Sequence, residues 1–517
     1  MKRLILVSLV ALGIPAVLCA QPLPHAVNPQ IQSIVEQISA DSLLANITRL
    51  TQFHTRHTFS DTTSDSVGIG AAMRWVESKA ESYDAEGRFA FEWFPWTGSY
   101  GGNPVTRHNL IARVPGVAEE RGRYVIGGHI DSRTVSGNDN TSFAPGADDN
   151  GSSSAAFLEL LRLLPDSLAH DLEVIWFTGE EQGLWGSEAY AQHLAGQGTR
   201  VDAMIAMDMI SHISLPGGEV DSMSLRLYAA GAGEGLSRGL QRYLKWVGEA
   251  YSEDFEMRII PAADRPGRGS DHLSFSDVGY PALRVIERNE DLAYQHTPND
   301  LPQHLSPTYA RRVAKCGLGG LLTMLSAPVR PPSPEVTMVD PGQSWEVHIP
   351  DSVVLPEGGR FYLAIREYQN TYFDTIIDLG AQRDYLHWPP NEGAVVCYSI
   401  SREDSSGHPS PFSADVLIWV SAARELSAAL PAEATLSSSP NPFNNEVLFT
   451  LELPRAGNVK LDIYDLLGRH VAELLNAPRE SGMHTVKWSP REMASGVYVA
   501  RLAVDGGSRT IKVAYIR

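Results

Sequence analysis

Six residues of this 517-residue chain are of the types that metal-assisted hydrolysis requires: His129, Asp148, Glu180, Glu181, Asp208 and His296. Each lies where an apolar run gives way to Gly, Asp or Thr. Neutral imidazole combined with carboxylate oxygen favours zinc. Two His and three carboxylates suffice for two ions if one carboxylate bridges them. Ions about 3.5–4 Å apart can activate a water while polarising a carbonyl. That water needs a nearby general base that is not consumed as a ligand. The adjacent Glu180 and Glu181 can divide those two roles. Asp131, two residues after His129, is placed to orient the imidazole. The set points to a two-metal hydrolase.

Residues scattered over such a span must be carried to one place by the fold. From about residue 31 to 325, helical periodicity alternates with apolar strands. Helices are expected over 43–53, 71–82, 152–164, 236–247 and 307–325, and strands over 124–128, 172–177, 203–209 and 281–286. This alternation implies an α/β fold, a mostly parallel (mixed) sheet sandwiched by helices. Ligands of such sheets bind outside the carboxyl ends of the strands. His129, Glu180, Glu181 and Asp208 follow strand ends there, His296 lies in a loop ten residues after the strand 281–286, and Asp148 lies shortly before a helix.

Several short pieces carry a resemblance: Gly127-Gly-His-Ile-Asp131, Pro145-Gly-Ala-Asp-Asp-Asn-Gly151, Gly179-Glu-Glu-Gln-Gly-Leu-Trp-Gly-Ser187, Met207-Asp-Met209, Ser270-Asp-His-Leu-Ser-Phe275 and Gln295-His-Thr-Pro-Asn-Asp300. Together, and in this order, they resemble the di-zinc aminopeptidases related to bacterial leucyl aminopeptidase, aminopeptidase Y, glutamate carboxypeptidase and glutaminyl cyclase. The resemblance spans most of residues 31–326. It implies two Zn2+ ions bridged by Asp148. His129 and Asp208 would complete one site, Glu181 and His296 the other, and Glu180 would be the general base. It also implies a cis peptide at Asp148–Asp149. The activity implied is removal of N-terminal residues from peptides. The rivals are carboxypeptidase, dipeptidase or glutaminyl cyclisation chemistry on the same scaffold, or a non-catalytic surface protein.

Beyond residue 326 the composition changes. Four prolines in residues 327–334 suggest a stiff linker. Short alternating strands over 344–349, 360–366, 394–400 and 415–420 then suggest a small fibronectin type III-like β-sandwich within 335–425. An Ala/Pro/Ser-rich linker at 426–439 precedes a further β domain, 436–517. Its segments Pro440-Asn-Pro-Phe-Asn444, Leu461-Asp-Ile-Tyr-Asp-Leu-Leu-Gly-Arg469 and Ser495-Gly-Val-Tyr-Val-Ala500 resemble the sorting domain of the type nine (Por) secretion pathway. That resemblance implies secretion machinery as a partner and a secreted or cell-surface location.

Residues 1–20 read as a signal peptide, a basic start followed by an apolar stretch, leaving 21–326 as the catalytic domain. No later segment has the length and apolarity of a membrane span. The formal net charge of -19 without a basic run speaks against nucleic-acid partners. Cys316 and Cys397, in different domains, are expected as free buried thiols. His54 and His57 are expected as a packed pair. His272 is expected as a support for the site or as structure. Ser237, within Gly235-Leu-Ser-Arg-Gly239, lies too far inside a helix for a nucleophile elbow. The glycosylation patterns at Asn46 and Asn140 are expected to be idle.

Overall fold

A computed structural model describes residues 23–229, 235–261, 264, 268–340, 344–389, 393–420, 434–479, 482–490, 493–504 and 507–516. The expected signal segment lies outside the described residues. The chain divides into two compact units, Met1–Ser421 and Ala422–Arg517.

In the first unit the strands are β1 (Ala90–Tyr100), β2 (Asn103–Val114), β3 (Arg123–His129), β4 (Asp171–Phe177), β5 (Ala203–Met207), β6 (Ser224–Ala229), β7 (Glu256–Ile259) and β8 (Ala282–Glu287). They form one sheet in the order β1-β2-β4-β3-β5-β8-β6-β7. Its centre, β4-β3-β5-β8, is parallel, while β1, β2 and the β6–β8 pairing are antiparallel. The sheet is therefore mixed, and its parallel centre is largely apolar, as burial on both faces requires.

The side-chain alternation of each strand separates two cores. Ile126, Val174, Trp176, Ile205, Met207, Leu283 and Val285 face one, with α1 (Pro29–Val35), α2 (Ala40–Thr51), α3 (Gly68–Glu81), α4 (Gly151–Leu163), α6 (Leu236–Gly248) and α8 (Pro307–Ser326) supplying the other layer. Val125, Ile175, Phe177, Met204 and Ala206 face the opposite side, where Tyr190 and Leu194 of α5 (Trp185–Gly196) and Phe275 of α7 (His272–Asp277) cover them. The long hairpin β1–β2 and the strand β7 lie outside the elements expected from periodicity.

The region 335–420 of the same unit folds as two antiparallel sheets. One has three strands, Asp384–His387, Ser344–His348 and Glu335–Asp340. The other has four, Thr375–Gly380, Arg360–Glu367, Val395–Glu403 and Val416–Trp419. Leu363, Ile365, Tyr398 and Ile400 pack with Val347 and Ile349 between them. The outer face, with Tyr362, Phe373 and Phe412, joins the main apolar core. Trp246 of α6 meets Tyr362 and Phe412, each with ring centroids 5.2 Å away. The segment 327–334, expected as a stiff linker, is pinned to the sheet domain. His170 Nε2 lies 2.6 Å from the Ala327 carbonyl, and Arg330 donates to the Asp202 carbonyl at 2.9 Å. Cys316 and Cys397 are buried, and neither is in a disulfide.

The second unit also has two antiparallel sheets. Thr435–Ser439, Val447–Leu453 and Gly482–Trp488 form one; His470–Arg479, Gly457–Asp465, Gly496–Val504 and Gly507–Tyr515 form the other. Phe443, Phe449, Leu451, Leu461, Ile463 and Trp488 fill the space between them. Among the described residues no helix is long and apolar enough to cross a membrane.

Candidate metal centre

The carboxyl ends of β3, β4 and β5 bring His129, Glu180, Glu181 and Asp208 to one rim. Two clusters of potential ligand atoms meet there, His129–Asp149–Asp208 and Asp149–Glu181–His296. His129 Nε2 lies 3.2 Å from Asp149 Oδ1 and 3.4 Å from Asp208 Oδ1. His296 Nε2 lies 3.0 Å from Asp149 Oδ2 and 3.2 Å from Glu181 Oε2. One carboxylate thus offers an oxygen to each cluster, the arrangement a bridging ligand requires.

That carboxylate is Asp149, not the expected Asp148. Asp148 and Asp149 sit in a turn, and their carboxylates face different partners, only that of Asp149 meeting the histidines. Asp148 turns away. Its Oδ1 accepts the Ser211 N–H at 3.0 Å, and it lies against Glu287, which accepts the N–H groups of Ser211 at 3.1 Å and His212 at 2.6 Å. The cis peptide moves by the same single residue, to Asp149–Asn150.

The loop carrying Asp149 is held from every side. Asp300 accepts the backbone N–H of Asp148 at 2.9 Å and of Asp149 at 3.1 Å. Asn150 donates to the Met207 carbonyl at 3.0 Å and accepts the Met209 N–H at 3.1 Å, tying the loop to the end of β5. Arg56, fully buried, donates to the carbonyls of Ile130, Pro145 and Gly146 at 2.8, 2.5 and 2.7 Å. Burial lowers its guanidinium to about 10 against the pull of Asp300, Asp131 and other acids, so it stays charged at neutral pH. Nothing in the sequence around Thr55-Arg-His57 marked Arg56. Its signal is a lone arginine that must satisfy carbonyls in a buried loop, and only the fold shows that loop.

Asp131 supports the site differently from expectation. His129 Nδ1 meets the Asp131 backbone carbonyl at 3.0 Å, while the carboxylate stands 3.6 Å away. The carboxylate instead accepts the Thr58 hydroxyl at 2.9 Å and the Glu181 N–H at 3.3 Å, fixing the turn after β4. The turn needs Gly179, whose φ of +85° lies in the left-handed region and whose Cβ would strike Trp96 at 2.8 Å. His296 itself adopts φ 59°, a costly conformation for a residue with a Cβ.

Around the two clusters opens a cleft of about 460 Å³, lined by the cluster residues, Glu180, Leu184, Leu273, Gln295 and three arginines, Arg133, Arg268 and Arg284. Glu180 is in neither cluster. Burial pushes its carboxyl well above the usual range; His129 opposes this, while Glu181, Asp208 and Asp271 add to it. Asp208 is held by Arg284 at 3.0 Å, and Asp149 accepts a bond from Gln295 at 2.8 Å. His272 is buried beside the cleft, and its burial and Arg284 lower it to about 3. It belongs to neither cluster. His54 and His57 meet the carbonyls of Thr141 and Gly137, each at 3.0 Å, and join no ligand cluster among the described residues. Ser237 lies within α6, where its hydroxyl accepts the Ala282 N–H. The Asn140 amide donates to the Phe59 carbonyl, and Asn46 is buried in α2.

Residues 109–318 match peptidase family M28, and residues 439–516 match the secretion system C-terminal sorting domain. A probable zinc metalloprotease of Pyrenophora teres is 33% identical over 343 residues, covering 60% of this chain and 71% of that protein. The chain belongs to peptidase family M28. It is a metallopeptidase. Leucine aminopeptidase 1 of Trichophyton equinum is 28% identical over 327 residues, covering 60% of this chain and 80% of that protein. The LapA aminopeptidase structure from Legionella pneumophila aligns with a TM-score of 0.47 at 23% identity, covering 59% of this chain and 77% of that one. The C-terminal match indicates secretion or export to the cell surface.

Proposed function

We propose that this M28 peptidase is an exported aminopeptidase holding two zinc ions. His129 and Asp208 would hold one ion, Glu181 and His296 the other, with Asp149 shared. The observation that carries the reading is the pair of Asp149 oxygens, each within 3.2 Å of a different histidine Nε2. The donor set fits: two imidazoles and three carboxylates, buried or half-buried, with Glu181 Oε1 lacking a hydrogen-bond partner among the described residues. When bound, the ions would supply an activated water and polarise the scissile carbonyl.

The chain's own residues do the rest. Glu180, facing the cleft without being drawn into either cluster, takes the proton from the attacking water and returns it to the leaving amine. A base must hold the proton it takes, and burial raises the proton affinity of the Glu180 carboxyl well above that of an ordinary glutamate. Asp131 and Thr58 hold the turn that aims it. The likeness to leucine aminopeptidase 1 favours cleavage at peptide N-termini. Residues 1–20 would direct export, and the C-terminal unit would engage the sorting machinery.

The test is metal analysis combined with a panel of aminoacyl-anilides and N-terminally blocked peptides. The reading requires close to two zincs per chain and turnover only where the N-terminus is free. Cleavage of blocked peptides, or cyclisation of N-terminal Gln in place of hydrolysis, would overturn it.

A further inference from the structure

The cleft is unusual in its non-ligand lining. Among the described residues only Leu184 and Leu273 bring large apolar side chains to it, while three guanidinium groups do. Two of these are committed. Arg284, with a side chain 2% exposed, pairs with Asp208 at 3.0 Å and with Asp264 at 3.3 Å. Arg268 donates to Gln295 at 3.2 Å and pairs with Glu290.

Arg133 differs. It donates Nε to Glu181 Oε2 at 2.7 Å, and its two terminal nitrogens have no hydrogen-bond partner among the described residues. Its side chain is 24% exposed and borders the cleft beside the Glu181–His296 cluster. Glu181 also belongs to a potential ligand cluster, so its charge is not reserved for Arg133. A guanidinium engaged through Nε keeps its Nη1–Nη2 edge free. That edge matches the two oxygens of a carboxylate and forms parallel charge-assisted bonds.

We infer that Arg133 is a specificity-determining residue that binds a carboxylate of the peptide substrate through its free edge. This rests on the aminopeptidase reading and names its substrate class, peptides carrying a carboxylate close to the scissile bond. The carboxylate has two sources, an acidic side chain or the C-terminus of a very short peptide. A cleft that recognised large apolar side chains would instead show an apolar pocket.

The experiment compares kcat/KM of the full zinc-loaded protein on two matched pairs, Leu-Gly against Leu-Gly-amide and Glu-Gly-amide against Gln-Gly-amide. One carboxylate-bearing member should exceed its partner by about tenfold or more, chiefly through KM. The pair that shows the preference identifies the source. Arg133→Gln should bring that ratio close to one, and Arg133→Lys should restore part of it. A ratio near one in the parent protein overturns the inference. So does an Arg133→Gln variant in which both members of a pair fall equally, since that reports damage to Glu181 alone. Calorimetric binding of Leu-Gly and Leu-Gly-amide, and of the second pair, to Glu180→Gln protein provides a readout without turnover. Retained discrimination there, where the parent protein hydrolyses none of the four, would sustain Arg133 as a carboxylate reader while removing the aminopeptidase reading.

Discussion

Asp300 receives the backbone N–H of Asp149 at 3.1 Å, from a position 151 residues further along the chain. Its other oxygen takes the N–H of Asp148. The loop that presents the shared carboxylate therefore owes its shape to an acid that touches neither cluster. Asp300→Asn keeps the volume but turns an NH2 toward one of these N–H groups. We expect zinc affinity to fall about 10- to 100-fold, the usual scale for losing a group that orients a ligand. Chelator competition measures it. An unchanged affinity would show that Asn150 and Arg56 hold the loop without Asp300.

The neighbouring aspartates give a sharper contrast. Asp149→Asn should lose both of the proposed ions, because each cluster shares that side chain. Asp148→Asn should keep close to two zincs per chain, its carboxylate being turned to Ser211 and Glu287. Metal content by atomic emission, measured on both variants, decides between them. The reverse pattern would return the bridge to Asp148.

This one-residue exchange shows what the sequence can reveal. Strands β3, β4, β5 and β8 were legible because each is an apolar run too short for a helix, and His129, Glu181 and Asp208 follow directly from their ends. Asp148 and Asp149 sit in a loop where no periodicity states which carboxylate faces inward. The choice is made by Asp300 and Asn150, through bonds that span the chain. Arg56 and Arg133 were illegible for a related reason, since an arginine reveals its role only through what surrounds it. The hairpin β1–β2 escaped because its burial alternates irregularly and its outer strand is half exposed. The segment 327–334 has a linker's composition, but composition does not show that His170 and Arg330 fasten it down.

Glu180→Gln removes the proposed base without touching either cluster. We expect zinc content and thermal stability to stay near those of the parent, with kcat lower by about 10² or more. The pH dependence of kcat should lose its acid limb. Turnover within a few-fold of the parent would take Glu180 out of the mechanism.

Stripping the metal should change the sign of the pH response. In the metal-free chain burial, with other contributions, raises Asp271 to about 7 and Asp300 to about 8. Burial opposes the charge of His296, but its bonds to Asp149 and Glu181 outweigh this and raise it to about 10. All three bind protons more tightly folded than unfolded. Their stabilisation is complete below the ordinary values of 3.8 and 6.5 and is lost as pH climbs through the raised ones. The Asp149 carboxyl, held far below its ordinary value, acts only at lower pH. Metal binding works the other way, because ligands must lose protons first. The Tm gap between zinc-loaded and chelator-stripped protein should therefore widen from pH 6 to pH 9. A gap constant over that range would contradict this coupling.

Two truncations should behave oppositely. Ending the chain at Ser421 removes a unit whose core, around Phe449, Leu461 and Trp488, is its own. All cluster residues precede residue 300, so peptidase activity per zinc should remain close to that of the full chain, while export from the native host stops. Ending the chain at Ser326 is different. It strips Tyr362, Phe373 and Phe412 from the apolar cluster that contains Trp246, and removes the Pro409 carbonyl that accepts the Tyr243 hydroxyl at 2.7 Å. It also leaves the guanidinium of buried Arg242 without Asp415, 3.3 Å away, and the Thr371 carbonyl. Each large apolar side chain returned to water costs on the order of 1.5–3 kcal/mol. Several together rival the roughly 5–15 kcal/mol that holds a whole domain folded. The shorter protein should aggregate or melt far below the longer one, as differential scanning calorimetry on both would show. If it stays soluble and equally stable, the β-sandwich region 335–420 is an appended module and not part of the peptidase core. Normal secretion of the longer truncation would separately remove the sorting role of the C-terminal unit.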